Sequence, residues 1–223
     1  MLYYLQQYLP HLSSLDVVSH SGFEGLMDGW NFPSLRSLWI RLEWKVYGED
    51  EQGEQIAVGA PRWPQVAFQQ FIMRSSCSIT DLFLINIELD SEDLIGIITS
   101  VHISLRYLHV SGLGRDRVPF ADDSVLFMLT WDDASISNVC PSLKKIDFVE
   151  CLTFSQGVFA QMVMFRARED ARRIAKLEEV YVQCREDLSM SQTLVLTDFK
   201  VVKGVLPGFS LSSGVYGQDI RIC

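Results

Sequence analysis

Four histidines, five cysteines and two adjacent aspartate pairs are the side chains here with the chemistry to ligate a metal, carry a nucleophile or move a proton. Their spacing argues against each use. His11, His20, His102 and His109 stand at no ligand interval, and no His-Glu-x-x-His occurs. Cys77, Cys140, Cys151, Cys184 and Cys223 never fall two or three apart, which removes the local zinc and redox-dithiol patterns. Asp122–Asp123 and Asp132–Asp133 are sequence neighbours, and neighbouring side chains on a helix point apart. Gly112-Leu113-Gly114-Arg115 lacks the third glycine of a dinucleotide loop, and no Walker-type phosphate loop is present. Pro207-Gly208-Phe209-Ser210-Leu211-Ser212 lacks the second glycine of a nucleophile elbow. The expectation is a protein that is not an enzyme and holds no metal or cofactor. A hydrolase or transferase on an α/β sheet ranks last among the readings below.

The chemistry that remains is recognition, and it rests on a repeat. The pattern apolar-x-x-apolar-x-apolar occurs six times, with first positions at Leu12, Leu35, Ile79, Leu105, Leu143 and Leu177. Its second and third apolar positions are Leu15/Val17, Leu38/Ile40, Leu82/Leu84, Leu108/Val110, Ile146/Phe148 and Val180/Val182. Residues two apart on an extended chain point to one side, so each copy predicts a strand with one apolar face. Pro10, Pro33 and Pro141 sit two residues ahead of three of the copies and mark a turn into the strand. This is the core of a leucine-rich repeat. Intervals between first positions are uneven, at 23, 44, 26, 38 and 34 residues.

Helical periodicity fills the later intervals. Pro64-Gln65-Val66-Ala67-Phe68 leads to Phe71-Ile72 with apolar residues on one face and a proline suited to a first turn. Ser91-Glu92-Asp93 and Asp122-Asp123-Ser124 place hydroxyls and carboxylates at predicted helix starts. Ser155 to Phe165 predicts the longest helix, running into Arg166 and Arg168. Strand and helix therefore alternate, which predicts an α/β fold: a curved parallel sheet with helices on its convex side, stacked as a solenoid. The whole chain, 1–223, is expected to form one such domain. Residues 43–63, including Glu49-Asp50-Glu51, read as an inserted acidic loop with room for a short hairpin. Residues 188–223 read as a C-terminal cap. Thr193–Leu196 and Phe199–Leu206 look extended, a Gly/Ser-rich turn follows, and Asp219–Cys223 alternates as a last strand.

In such an array the residue between the second and third apolar positions points away from the helices. Those residues are Asp16, Trp39, Phe83, His109, Asp147 and Tyr181. Four of the six are aromatic or imidazole, and Arg41 and Tyr107 lie two residues from this line. Exposed Trp, Tyr and Arg are the residues of interaction hot spots. The predicted protein-binding face therefore comprises Trp39, Arg41, Phe83, Tyr107, His109, Asp147 and Tyr181. The competing reading is that aromatics favour strands and pair across them without binding anything, or that the inserted loop covers them.

Composition sets the context. The net charge is −9, from 19 Lys and Arg against 28 Asp and Glu, which disfavours nucleic acid as a partner. Ten acids against three bases lie between Asp81 and Asp133, tilting partner choice towards a basic protein. Their simpler role is to complement helix N-termini, as Arg166, Arg168, Arg172, Arg173 and Lys176 would a C-terminus. Apolar stretches such as Leu82–Ile87 are too short for a membrane span, and Met1–Leu12 is no signal peptide. Five widely spaced cysteines fit reduced core thiols, so the expected location is intracellular, cytoplasmic or nuclear.

Leu9-Pro10-His11-Leu12-Ser13-Ser14-Leu15, Phe32-Pro33-Ser34-Leu35-Arg36-Ser37-Leu38 and Cys140-Pro141-Ser142-Leu143-Lys144-Lys145-Ile146-Asp147-Phe148-Val149-Glu150-Cys151 resemble the leucine-rich region of fungal F-box proteins of the basidiomycete type. Phe71-Ile72-Met73-Arg74-Ser75-Ser76-Cys77-Ser78-Ile79 resembles that family's passage from helix to strand. The likeness covers most of residues 9–183 and is one of repeat style. It implies a substrate-recognition module of an F-box-type ubiquitin ligase, whose repeats hold a protein substrate. In that family an N-terminal F-box grips a Skp-type adaptor. Here Met1 leads straight into a repeat, so the expectation is that adaptor binding requires an F-box encoded upstream. A structural scaffold unconnected with ubiquitin is the alternative.

Overall fold

The computed structural model describes residues 9–19, 25, 27–42, 48–49, 55–56, 63–112, 119–130, 139–167, 174–184, 189–206, 209–215 and 218–221. Strands β1 (Ser14–Ser19), β2 (Ser37–Leu42), β5 (Asp81–Ile85), β6 (Tyr107–Ser111), β7 (Lys145–Val149) and β8 (Glu179–Cys184) carry the six copies of the repeat. They pair in that order, all parallel, and β9 (Ser210–Val215) continues the parallel run. β10 (Gln218–Arg221) closes the sheet antiparallel to β9. β3 (Gly48–Glu49) and β4 (Gln55–Ile56) form a separate antiparallel pair. Strand order follows chain order without reversal, so this sheet has no topological switch point, where open α/β sheets bind ligands.

One hydrogen-bond device repeats ahead of the strands and explains how uneven repeats stay in register. The carbonyl just before a strand accepts two N–H groups from the start of the next. Ser13 O accepts from Arg36 and Ser37, Arg36 O from Thr80 and Asp81, and Thr80 O from Arg106 and Tyr107. Arg106 O then accepts from Lys144 and Lys145, and Lys144 O from Glu178 and Glu179, all at 2.7–3.2 Å. Whatever intervenes, each strand enters at the same height. The three prolines share a turn as well: Leu12 N donates to Leu9 O, Leu35 N to Phe32 O and Leu143 N to Cys140 O. Each proline is the second residue of that β-turn, where its fixed φ suits the geometry.

The apolar positions of the five copies from Leu35 onward form the core. Leu35, Leu38 and Ile40, and their counterparts through Leu177, Val180 and Val182, are at most 1% exposed. Burying each such side chain contributes about 1.5–3 kcal/mol. In the first copy, Leu12, Leu15 and Val17 are only half-buried, because among the described strands β1 has a neighbour on one side alone.

Helices α1 (Gln65–Ser75), α2 (Ser91–Val101), α3 (Asp123–Leu129), α4 (Val158–Ala167) and α5 (Ser189–Val205) connect the strands, and each packs on the next. α2 is capped by Asp90 and α3 by Asp122, one residue before their first helical residues. Asp90 makes a reciprocal capping box with Asp93. Ser91 and Asp123 are thereby available for longer reaches. Ser91 Oγ donates to Phe120 O at 2.7 Å, and the Asp123 carboxylate accepts from Ser155 N at 2.7 Å and Ser155 Oγ at 2.6 Å.

Two buried charges lock α4. At its start, Gly157 N and Ala160 N each donate to the Asp198 carboxylate at 3.0 Å, so α5 supplies an acceptor for the first turn of α4. An anion there is favoured by the helix dipole. At its end, the fully buried Arg166 donates to the carbonyls of Leu129, Cys140 and Val139. Leu129 is the last residue of α3, so the guanidinium meets the negative end of a neighbouring helix. Burial lowers its pKa to about 10, still far above neutrality.

Three expectations need correction. The extended runs at Thr193–Leu196 and Phe199–Leu206 are instead α5, in which buried Phe199 and Val202 face the core three residues apart. The Val and Thr content masked that helical period, and packing against α4 overrides the local β preference. α5, at 17 residues, is also longer than the 10-residue α4. The Gly/Ser-rich segment expected to turn forms β9, while the last strand lies at Gln218–Arg221. Within the predicted loop at 43–63, β3 and β4 supply the short hairpin and Trp63 is buried. The acidic Asp50–Glu54 lies outside the described residues, as do Arg168, Arg172 and Arg173.

Candidate functional site

The parallel register puts the predicted outward residues in one line. Asp16 pairs with Trp39, Trp39 with Phe83, Phe83 with His109, His109 with Asp147 and Asp147 with Tyr181. A second line, two residues earlier, runs Ser37, Asp81, Tyr107, Lys145, Glu179. A third, two residues later, runs Arg41, Ile85, Ser111, Val149, Gln183. All seven predicted binding residues therefore lie on one face of the sheet.

The line divides into an aromatic and a polar part. Trp39 and Phe83 stack with ring centroids 3.5 Å apart and planes 10° from parallel. Tyr107 meets Phe83 edge-on at 5.0 Å, and the His109 ring lies 5.8 Å from it. Covered from three directions, Phe83 is only 8% exposed, whereas the sequence had placed it among exposed contacts. Its role is to support Trp39, which stays half-buried with Nε1 donating to Ser37 Oγ at 3.1 Å.

The polar part is a hydrogen-bond network. The Asp147 carboxylate accepts from Tyr107 Oη and lies 3.2 Å from His109 Nδ1. Tyr181 Oη donates to Gln183 Oε1 at 3.1 Å, and Gln183 Nε2 donates to Glu150 Oε1 at 3.3 Å. Glu150 was not foreseen. It follows β7 in the left-handed region at φ +56°, and no sequence signal marks a glutamate there. Arg41 pairs with Asp16 at 3.6 Å and Lys145 with Glu179 at 2.7 Å. Partial burial, the Asp147 hydrogen bond and the charges of Asp147, Glu179 and Asp81 hold the Tyr107 phenol well above its ordinary pKa. The Glu179 hydrogen bond raises Lys145.

Elsewhere the chemistry is sparse. Cys77, Cys140, Cys151 and Cys184 are unpaired. Burial pushes Cys140 up to about 12 and Cys184 to about 11, against thiolate formation. Among the described residues no cluster of three or more His, Cys, Asp or Glu could hold a metal ion. No helix among them is long and apolar enough to cross a membrane. A shallow recess beside the start of α1, lined by Asp28, Trp63, Gln65 and Gln70 among others, brings together no titratable pair. Among the described residues, the sheet face brings partly exposed aromatic, imidazole and charged side chains together. Comparison of the chain with protein-family models, with curated proteins and with solved structures yields no match.

Proposed function

We propose that the chain is a leucine-rich-repeat solenoid that binds a protein on its open sheet face, as the substrate-recognition part of an F-box-type ubiquitin ligase. One observation carries this reading. Trp39, His109, Asp147 and Tyr181 stand in register across four strands and remain partly exposed, although the repeat positions on each strand's other face are buried. Aromatic and charged residues held by strands, on the side opposite the described helices, suit a binding surface whose partner contributes the missing burial. The ligase context rests on the resemblance of the repeats alone. The repeated carbonyl device and the sequential strand order support the solenoid reading.

The mutual satisfaction of the ladder favours a second reading. Trp39 on Phe83, and Tyr107 and His109 on Asp147, are cross-strand pairs of the kind that stabilise a sheet with no partner. On that reading the protein is a scaffold. Affinity purification from the native cell separates the two. Recovery of a Skp-type adaptor and a cullin along with a substrate supports the ligase reading, and a partner without them supports the scaffold.

A further inference from the structure

β2, β5, β6, β7 and β8 are each joined to the strand before them in one way. Two successive N–H groups at the strand start donate to the carbonyl just ahead of the preceding strand. In β1 the corresponding donors are Ser13 N and Ser14 N, since Ser14 pairs with Ser37. Among the described residues neither meets an acceptor, and no strand lies on that side of β1. From Ser14 to Val18 every position is more exposed than its partner in β2, and Val18 reaches 43%. A recess of about 360 Å³ lies at the same place, lined by Leu9, Pro10, His11, Leu12, Ser13 and Ser14. Open donors, the half-buried Leu12, Leu15 and Val17, and the recess all lie along one edge.

The five filled edges define what fits the open one. Their occupant runs parallel, turns apolar-x-apolar towards the helices and presents a carbonyl one residue ahead of its strand. A second copy does not offer this. With its helices on the same side, either of its edge strands, β1 or β10, would meet β1 antiparallel. A parallel neighbour from nearby in the chain needs a return connection as well as a strand. The shortest such connection in this sheet, residues 20–36, is already longer than residues 1–8. We infer that β1 takes an extended apolar-x-apolar segment of a partner polypeptide as a further parallel strand. Main-chain hydrogen bonds at Ser13 and Ser14 fix its height, and Leu12, Leu15 and Val17 select its apolar side chains. The contact lies on the sheet edge, so it stands apart from the reading of the open face as a binding surface.

The test uses the full chain and a labelled peptide with the sequence of residues 141–150, Pro-Ser-Leu-Lys-Lys-Ile-Asp-Phe-Val-Glu, which forms such a strand as β7. A control peptide carries Ile146→Ser and Phe148→Ser and is expected to bind at least about ten-fold more weakly. In amide hydrogen exchange the first peptide should slow Ser13 to Val18 by at least about ten-fold and leave β5 to β8 unchanged. Ser14→Pro deletes one donor at the first residue of an edge strand, where proline is tolerated. It should keep the thermal transition and weaken the peptide by at least about ten-fold. If that substitution lowers the transition, the exchange map of the unsubstituted protein decides. No binding, equal binding of the two peptides, protection away from β1, or unchanged binding by folded Ser14→Pro would overturn the assignment. So would slow exchange at Ser13 and Ser14 before any peptide is added, which would mean that this chain or a second copy already fills the edge.

Discussion

The two faces of the same strands obey different rules. Towards the helices, Leu38, Leu82, Leu108, Ile146 and Val180 repeat one solution: an aliphatic side chain with no exposure and no polar partner. On the other face the equivalent line reads Trp39, Phe83, His109, Asp147, Tyr181, no two alike, tied by stacking and hydrogen bonds. The inner line answers to area removed from water, which any aliphatic of similar volume supplies. The outer line answers to the identity of its neighbours, and so it is where a specific partner could be encoded. On the proposed reading, binding belongs to the face that varies and stability to the face that repeats.

Breaking the inner face should cost most. Leu108→Ala opens a cavity in the middle of the core, and a loss of about 2–5 kcal/mol is expected by denaturant titration. A loss under about 1 kcal/mol would mean that the repeat positions pack loosely. Next come the two charges that lock α4. Asp198→Ala removes both N–H partners at the helix start, with an expected cost of about 2–3 kcal/mol. Hydrogen exchange should localise that loss to α4 and α5. Uniform destabilisation would argue that the carboxylate is no local cap.

Much of this was legible beforehand, and the reasons for the remainder are specific. The apolar triplets from Leu35 to Val182 were readable because turn and strand fix three positions whatever the repeat length. Asp90 and Asp122 lie beside helices whose acidic starts were visible. The burial of Phe83 was not readable, because it follows from Trp39 on one neighbouring strand and Tyr107 on the next, 44 and 24 positions away. Nor was α5: its period shows only once Phe199 and Val202 are known to face α4. The role of Asp198 had no sequence signal, since its partners Gly157 and Ala160 lie 41 and 38 positions earlier, at the start of another helix.

The outer face should yield smaller stability effects with sharper functional ones. Tyr107→Phe removes one hydrogen bond to Asp147, for about 0.5–1.5 kcal/mol at neutral pH. It should also flatten the alkaline limb of stability. In the native state the phenol is held protonated above its ordinary range, while in the unfolded chain it ionises near pH 10. The unfolded state then binds fewer protons, so native stability is present below about pH 10 and falls as pH rises through it. If Tyr107→Phe loses stability as steeply above that pH as the unsubstituted protein, the phenol is not held as described.

The comparison turns on Trp39 and Tyr181, which lie at opposite parts of the outer line and leave the inner face untouched. Capture of the cellular partner by the Trp39→Ala plus Tyr181→Ala protein, set beside its thermal unfolding, is the measurement that decides the matter. A cooperative transition within a few degrees of the original and at least about a hundred-fold loss of capture are expected for two hot-spot aromatics. Undiminished capture by the folded double variant would show that the face which varies is not the face that binds.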